Sequence, residues 1–183
     1  TLTFNPTANT NGSDSLKVQV SDGSLTAEST ISITINAVND RPTINDGSFS
    51  TDEDTSTTYD LSNLGASDID GNTLSYTISE NPTKGTASID GTTLTFNPTA
   101  NTNGSDSLKV QVSDGSLTAE STISITINAI NDAPKFDNSP SKLTINENES
   151  FSHDILVSDI ESSSLTITSS TLPKWLTLDG NNL

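Results

Sequence analysis

The sequence contains no cysteine. The rest of its composition suits the cell exterior, yet disulfides contribute nothing to holding its domains together. Aromatic residues are scarce, with Phe 5, Tyr 2 and Trp 1 in 183 residues. Glycoside cleavage needs a carboxylate pair in a cleft with aromatic walls, and most of these rings alternate into strand faces instead. His153 is the single histidine, and neither a GxSxG nor a GxxxxGK[ST] pattern occurs. These gaps argue against an enzyme and put His153 on the surface. Basic residues are also few: Lys+Arg 7 against Asp+Glu 24 gives a net charge of −17. Such a chain repels phosphate backbones and anionic headgroups, which excludes nucleic acid and membrane surfaces as partners. No run of about 18 apolar residues offers membrane insertion, and no basic, signal-like segment targets the stretch. The acidity does not signal disorder, because Ile, Val, Leu and Thr alternate cleanly with polar residues.

What is present is a repeat. Residues 1–37, TLTFNPTANTNGSDSLKVQVSDGSLTAESTISITINA, recur letter for letter as residues 93–129, a period of 92 (93 − 1). Solenoid units run to about 20–50 residues and a self-contained sandwich to about 100, so each full period carries its own core.

Strand patterns fill the period. Leu2 and Phe4, then Leu16, Val18 and Val20, then Ile31, Ile33 and Ile35 alternate with polar residues. The second copy does the same at Leu94 and Phe96, Leu108 to Val112 and Ile123 to Ile127, and Leu74, Tyr76 and Ile78 add one more run. Period two means one buried and one wet face, and no segment shows a helical period. Asn11-Gly12, Asp22-Gly23, Asp70-Gly71, Asp90-Gly91, Asn103-Gly104 and Asp114-Gly115 supply turn residues between the runs. Pro42 and Pro134 sit in Asn39-Asp40-Arg41-Pro42 and Asn131-Asp132-Ala133-Pro134, where a fixed φ suits a stiff connector. The expected organisation is the C-terminal part of one repeat over 1–40, a complete repeat over 41–132 and the N-terminal part of a divergent repeat over 133–183. In the last, Trp175 is expected in the core, and Asn182-Leu183 stands where Thr93-Leu94 and Thr1-Leu2 stand.

Acidic residues collect at the junctions. Asn39-Asp40-x-Pro42 and Asn131-Asp132-x-Pro134 are each followed by an acidic cluster, Asp52-Glu53-Asp54 or Glu147 and Glu149. Asp68-Ile69-Asp70-Gly71-Asn72 comes next. This order resembles the cadherin family, and it looks most similar to the bacterial cadherin-like repeats of large, type I secreted surface adhesins, which typically end in VNDAP and carry DxDG and VSDG. The resemblance spans almost the whole chain. It implies tandem Ig-like, cadherin-like Greek-key β-sandwiches arranged end to end, all-β, with Ca2+ between them.

Carried over residue by residue, the resemblance assigns Asn39, Asp40, Glu53, Asp68, Asp70, Asn72 and Asp114 to the first junction, with Asp14 as a further upstream donor. It assigns Asn131, Asp132, Glu147, Asp159 and Glu161 to the second, with Asp106 upstream. All are oxygen donors, as calcium requires. Carboxylates about 4 Å apart repel by about 1 kcal/mol per pair in water, and a divalent ion reverses that. Three departures imply fewer ions or weaker binding: Ala37 and Ala129 stand where the animal linker begins with aspartate, and Glu161 replaces the second aspartate of the pair. Asp68-x-Asp70-x-Asn72 also fits the start of an EF-hand loop, but Thr73 and Ser79 occupy the positions that need glycine and glutamate. The plainer reading is that Asp-Gly and Asn-Asp pairs only form turns, which by itself accounts for Asp22, Asp90 and Asp114.

The function implied is a calcium-stiffened extracellular spacer of a cell-surface adhesin or filament. A carbohydrate-binding module and a calcium-independent Ig-like spacer are the alternatives. The expected partners are neighbouring repeats of the same chain, head-to-tail copies of the chain, or, for the second class, glycans.

Overall fold

Alternation of Leu, Val and Ile with polar residues builds strands with one apolar face, and the strands of the central repeat close around one core. The computed structural model describes residues 1–138 and 140–178. Asn182-Leu183 therefore lies outside the described residues. In the central repeat, β3 (Gly47–Asp52), β9 (Thr118–Asn128), β8 (Gly104–Ser113) and β5 (Ser75–Glu80) form one sheet in that order. The facing sheet is β4 (Thr57–Asp60), β7 (Thr93–Pro98) and β6 (Gly85–Asp90). β3 runs parallel to β9 from Gly47↔Ile123 to Asp52↔Asn128, and every other pairing is antiparallel. The chain crosses repeatedly between the sheets, which is the Greek-key sandwich, and no α-helix occurs among the described residues.

The core lies between the sheets. Leu94 and Phe96 of β7 meet Leu108 and Val110 of β8 and Ile123, Ile125 and Ile127 of β9, each at most 2% exposed. Phe49 of β3 ties the layers together, stacking on Tyr59 at 5.4 Å and meeting Phe96 edge-on at 6.0 Å. A 3-10 turn, Leu61–Leu64, closes one side. Asp60 caps it by accepting from the Ser62 N–H at 2.9 Å, and Leu61 and Leu64 point into the core.

The first repeat has the same letters in different surroundings. β1 (Gly12–Ser21) and β2 (Thr26–Ile35) pair in the register of β8 and β9, Gly12↔Ile35 matching Gly104↔Ile127. The turn is also the same: Asp22 accepts from Ser24 and Leu25, as Asp114 does from Ser116 and Leu117, with Gly23 at φ 96° and Gly115 at φ 99°. The hairpin is therefore local in origin, while its burial is not. Val20 is 69% exposed where Val112 is 0%, and Phe4 is 48% exposed where Phe96 is 0%. Residues 1–7 form no strand, although Leu2 and Phe4 alternate as Leu94 and Phe96 do. β7 is held by β4 and β6 on its two edges, and among the described residues no strand pairs with residues 1–7. Lys17 shows the same lack: Lys109 bonds Glu80 of β5 at 2.8 Å, whereas Lys17 turns to Glu28 of its own hairpin at 3.6 Å.

The third unit opens as the central one does. β10 (Lys135–Phe136) pairs antiparallel with β11 (Val157–Ser158), repeating the Thr43↔Ser67 bridge one unit on. Beyond that pair the described residues of this unit form no further strand. Trp175, expected in the core, is instead 74% exposed. Among the described residues of its unit the only sheet is the β10–β11 pair, which leaves the ring uncovered.

The duplicated sequence sets up an internally controlled experiment. Phe96→Ala should cost the sandwich about 3–5 kcal/mol in urea unfolding. Phe4→Ala, in the same local sequence, should change it by no more than about 0.5 kcal/mol. Equal losses would contradict the burial difference.

Candidate functional site

Two oxygen-rich clusters form where the repeats meet. At the first, the linker residue Asn39 reaches into the central repeat. Its Nδ2 donates to Asp114 Oδ2 at 2.9 Å and to the Asp40 carbonyl at 3.1 Å, and its Oδ1 accepts from Asn72 Nδ2 at 2.8 Å. The Asp40 N–H donates to Asp70 Oδ2 at 2.7 Å. The loop carrying Asp70 and Asn72 is shaped by Asp68, whose Oδ1 accepts from the N–H groups of both at 3.0 and 3.2 Å. Gly71, at φ 77°, makes the left-handed bend that this requires. The structure thus brings together Asn39, Asp40, Asp68, Asp70, Asn72 and Asp114 from three separated stretches of chain.

Asp114 has two tasks. Oδ1 holds the hairpin turn through Ser116 and Leu117, both at 2.6 Å, and Oδ2 holds the linker. The hydrogen bonds from the Leu117 backbone, the Asn39 amide and the Ser116 backbone pull its carboxyl below the ordinary value of 3.8. The turn-only account is therefore sufficient for Asp22 but not for Asp114.

The second cluster repeats the first with substitutions. Asn131 Nδ2 donates to the Asp132 carbonyl at 2.7 Å, and the Asp132 N–H donates to Glu161 Oε2 at 3.0 Å. Glu161 thus takes the place of Asp70. Asp159 Oδ1 accepts from the N–H groups of Glu161 at 3.1 Å and Ser162 at 2.7 Å, as Asp68 does in its own loop.

Four expected residues stand outside the hydrogen bonds of the two clusters. Glu53 was expected at the first junction, but it lies at the opposite end of the sandwich. It is 2% exposed, with Oε1 accepting from the Ile130 N–H at 2.8 Å and Oε2 from Asn103 Nδ2 at 3.5 Å. The cause is the parallel pairing of β3 with β9, which delivers both strand ends to the same edge, where the Glu53 N–H donates to the Asn128 carbonyl. Glu147 precedes Asn148 (φ 64°) as Glu53 precedes Asp54 (φ 60°), which makes it the local counterpart of Glu53. Asp106 is occupied structurally. Its carboxylate accepts from the Thr83 N–H and hydroxyl, the Lys84 N–H at 2.7 Å and the Ser107 N–H at 2.9 Å, pinning the loop before β6. Asp14 is exposed and caps its neighbour, accepting from the Ser15 N–H at 2.7 Å.

An asparagine loop went unnoticed in the sequence. Asn9, Thr10 and Asn11 line the recesses at the first junction beside Asp40, Asp68 and Asp70. In the central repeat, Asn103 meets Glu53, and the Asn101 N–H donates to Asp54 Oδ1 at 2.9 Å. Asn9 and Asn101 both adopt positive φ, 57° and 53°. Their duplication in NTNG was visible, but turn formation alone accounts for that pattern.

Whether the clusters suit a cation is tested by their unsatisfied atoms. Among the described residues, Asp68 Oδ2 and Asp132 Oδ2 are the buried side-chain oxygens without a hydrogen-bond partner. A buried, unpaired carboxylate oxygen is costly, and one occurs at each junction. Among the described residues no three acidic or histidine side chains converge as a ligand group. An ion here therefore needs amide and main-chain carbonyl oxygens to complete its shell, donors that calcium accepts readily.

Residues 39–126 match the family model Big_9, described as bacterial Ig domain. A structure of protocadherin gamma B2 extracellular cadherin domains 1-5 is similar with a TM-score of 0.53 at 19% identity, over 86% of this chain and 33% of that one. The likeness is one of fold, and the central unit is an Ig-like, cadherin-like repeat. Domains 4 and 5 of the S-layer protein SbsC align with a TM-score of 0.30 at 18% identity, over 63% of this chain and 58% of that one. An endo-fucoidan hydrolase from glycoside hydrolase family 107 aligns at 0.41 and 18%, over 73% of this chain and 22% of that one. The chain thus spans only part of each of these proteins. No curated protein matches the sequence.

Acid should expose the structural carboxylates. Burial pushes Asp106 upward, but hydrogen bonds from the Lys84, Ser107 and Thr83 backbones outweigh it, and its carboxyl falls below 3.8. A depressed carboxylate contributes stability that is complete above the unfolded value and is lost as pH falls through the folded one. The thermal midpoint of the sandwich should therefore be level from neutrality to about pH 5 and drop below about pH 4. Asp106→Asn should cost about 1–3 kcal/mol at neutral pH and flatten the acid limb. An unchanged acid limb in this variant would remove Asp106 from the account.

Proposed function

We propose that the chain is a calcium-stiffened extracellular spacer, from the repeat region of a bacterial surface adhesin or filament, with no catalytic role. The observation that carries the reading is the pair of buried, unpartnered carboxylate oxygens, Asp68 Oδ2 and Asp132 Oδ2, one in each linker cluster. A divalent cation would satisfy both atoms. It would also join the linker Asn and Asp to the Asp-x-Asp or Asp-x-Glu loop, and so limit bending between successive sandwiches. Glu53, brought to the end of the central repeat beside the Ile130 N–H, supports adding that carboxylate to the second cluster. The excess of acid over base favours cations throughout.

An extracellular setting is supported by the bacterial Ig match over residues 39–126. No helix among the described residues is long and apolar enough to cross a membrane. The spacer role is supported by the near-identity of successive repeats: duplication adds length, whereas an unchanged copy adds little to a specific binding site.

Calorimetric titration with calcium chloride should give dissociation constants of about 10⁻⁴–10⁻³ M, the range of extracellular modules. Asp68→Asn keeps the oxygen that holds the loop and removes the charge, so it should weaken binding at the first junction about tenfold or more. Asp22→Asn, altering a turn carboxylate outside both clusters, should bind as the parent does. Asp70→Ala should widen the range of inter-repeat angles in small-angle scattering with calcium present. Identical melting midpoints in calcium and in chelator, with no heat of binding, would sink the calcium reading.

A further inference from the structure

The two Asn-Asp-x-Pro linkers differ in their third residue. Asn39-Asp40-Arg41-Pro42 carries the only arginine of the chain, where Asn131-Asp132-Ala133-Pro134 carries alanine. The backbone of Arg41 is held against the acid loop from both sides. Before it, the Asp40 N–H donates to Asp70 Oδ2 at 2.7 Å. After it, Pro42 is fully buried, and Thr43 exchanges main-chain hydrogen bonds with Ser67 at 2.8 and 3.0 Å. The proline that follows also confines Arg41 to extended backbone. Arg41 therefore stays beside the loop, and it lines one recess with Asp40, Thr43, Ser67 and Asp68.

No carboxylate neutralises this guanidinium. Among the described residues the ion pairs are Lys17–Glu28, Lys109–Glu80 and Lys135–Asp137, and Arg41 is in none of them. A permanent positive charge thus shares a recess with Asp68, whose buried Oδ2 has no hydrogen-bond partner. A divalent ion at that oxygen would lie well within a Debye length of the guanidinium, and like charges at such range repel. The second junction holds its linker in the same way, through the Asp132–Glu161 bond and the Lys135↔Ser158 pair, but with an uncharged residue in place of Arg41. The nearest base there, Lys135, is turned to Asp137.

We infer that Arg41 sets the calcium threshold of the first junction, its charge opposing the ion that the surrounding carboxylates attract. The inference rests on the calcium reading and adds the residue that regulates it. An arginine at this linker position raises the concentration at which its junction stiffens, and an alanine leaves that concentration to the carboxylates alone. One linker residue thus tunes each junction without disturbing either sandwich.

Calcium titration of the full chain tests this, with Asp132→Asn weakening the second junction so that the first is read apart. Arg41→Gln should tighten calcium binding about threefold or more at low ionic strength. The gain should fade near about 1 M salt, where the Debye length is about 3 Å. Arg41→Lys keeps the charge and should bind as the parent does. Ala133→Arg, read with Asp68→Asn weakening the first junction, should loosen the second by a similar factor. Arg41 is exposed, so each of its variants should melt as the parent does in chelator. An equal gain from Arg41→Lys and Arg41→Gln, or a gain that persists in high salt, overturns the inference, because shape rather than charge would then be at work. So does an unchanged affinity in Arg41→Gln where the parent gives a clear heat of binding, a result that leaves the calcium reading intact. A parent with no heat of binding removes both.

Discussion

A two-stranded ribbon has one apolar face and two open edges, and it cannot satisfy either alone. That constraint organises the whole molecule. The same 37 letters appear twice, and local chemistry makes the same hairpin each time, down to the aspartate that ties its turn. Only where residues 43–98 lie against it does the ribbon acquire a core. The fold of a repeat therefore depends on long-range pairing, above all the parallel contact of β3 with β9, which joins the first strand of the repeat to its last.

That contact also sets the chemistry at the ends. By running alongside β9, β3 carries Glu53 to the edge where the chain leaves for the next unit, and Glu53 is buried there against Asn103 and the Ile130 N–H. At the other end, the turn of β8–β9 presents Asp114 to the incoming linker. The central sandwich thus has one acidic end that receives a linker and one that releases it. The hydrogen bond from the linker Asp N–H to the second acid of the following loop is common to both junctions.

Much of this was legible in the sequence because it is local. Alternation at Leu108 to Val112 and Ile123 to Ile127 marked strands that the structure contains, and the Asn-Asp-x-Pro, Asp-x-Asp-Gly-Asn and Val-Ser-Asp-Gly motifs hold the six residues that meet at the first junction. The misplacements are non-local. Nothing in the spacing of Glu53 shows that its strand pairs in parallel with one more than seventy residues away. Asp106 sits where a ligand was expected, but its environment is the loop at Thr83 and Lys84, which only folding brings near. Leu2, Phe4 and Trp175 have the pattern of core residues but stand exposed among the described residues, since alternation reports the capacity for burial and not its occurrence.

The double duty of Asp114 has a mechanical consequence. One oxygen anchors the hairpin turn and the other grips Asn39, so a pull on the linker is passed directly into the head of the two longest strands of the sandwich. β9 of that hairpin runs on to the next junction, so tension entering at the turn travels along the strand rather than opening its ladder one bond at a time. An array built from such units would transmit tension along its hairpins and spare the softer loops between them.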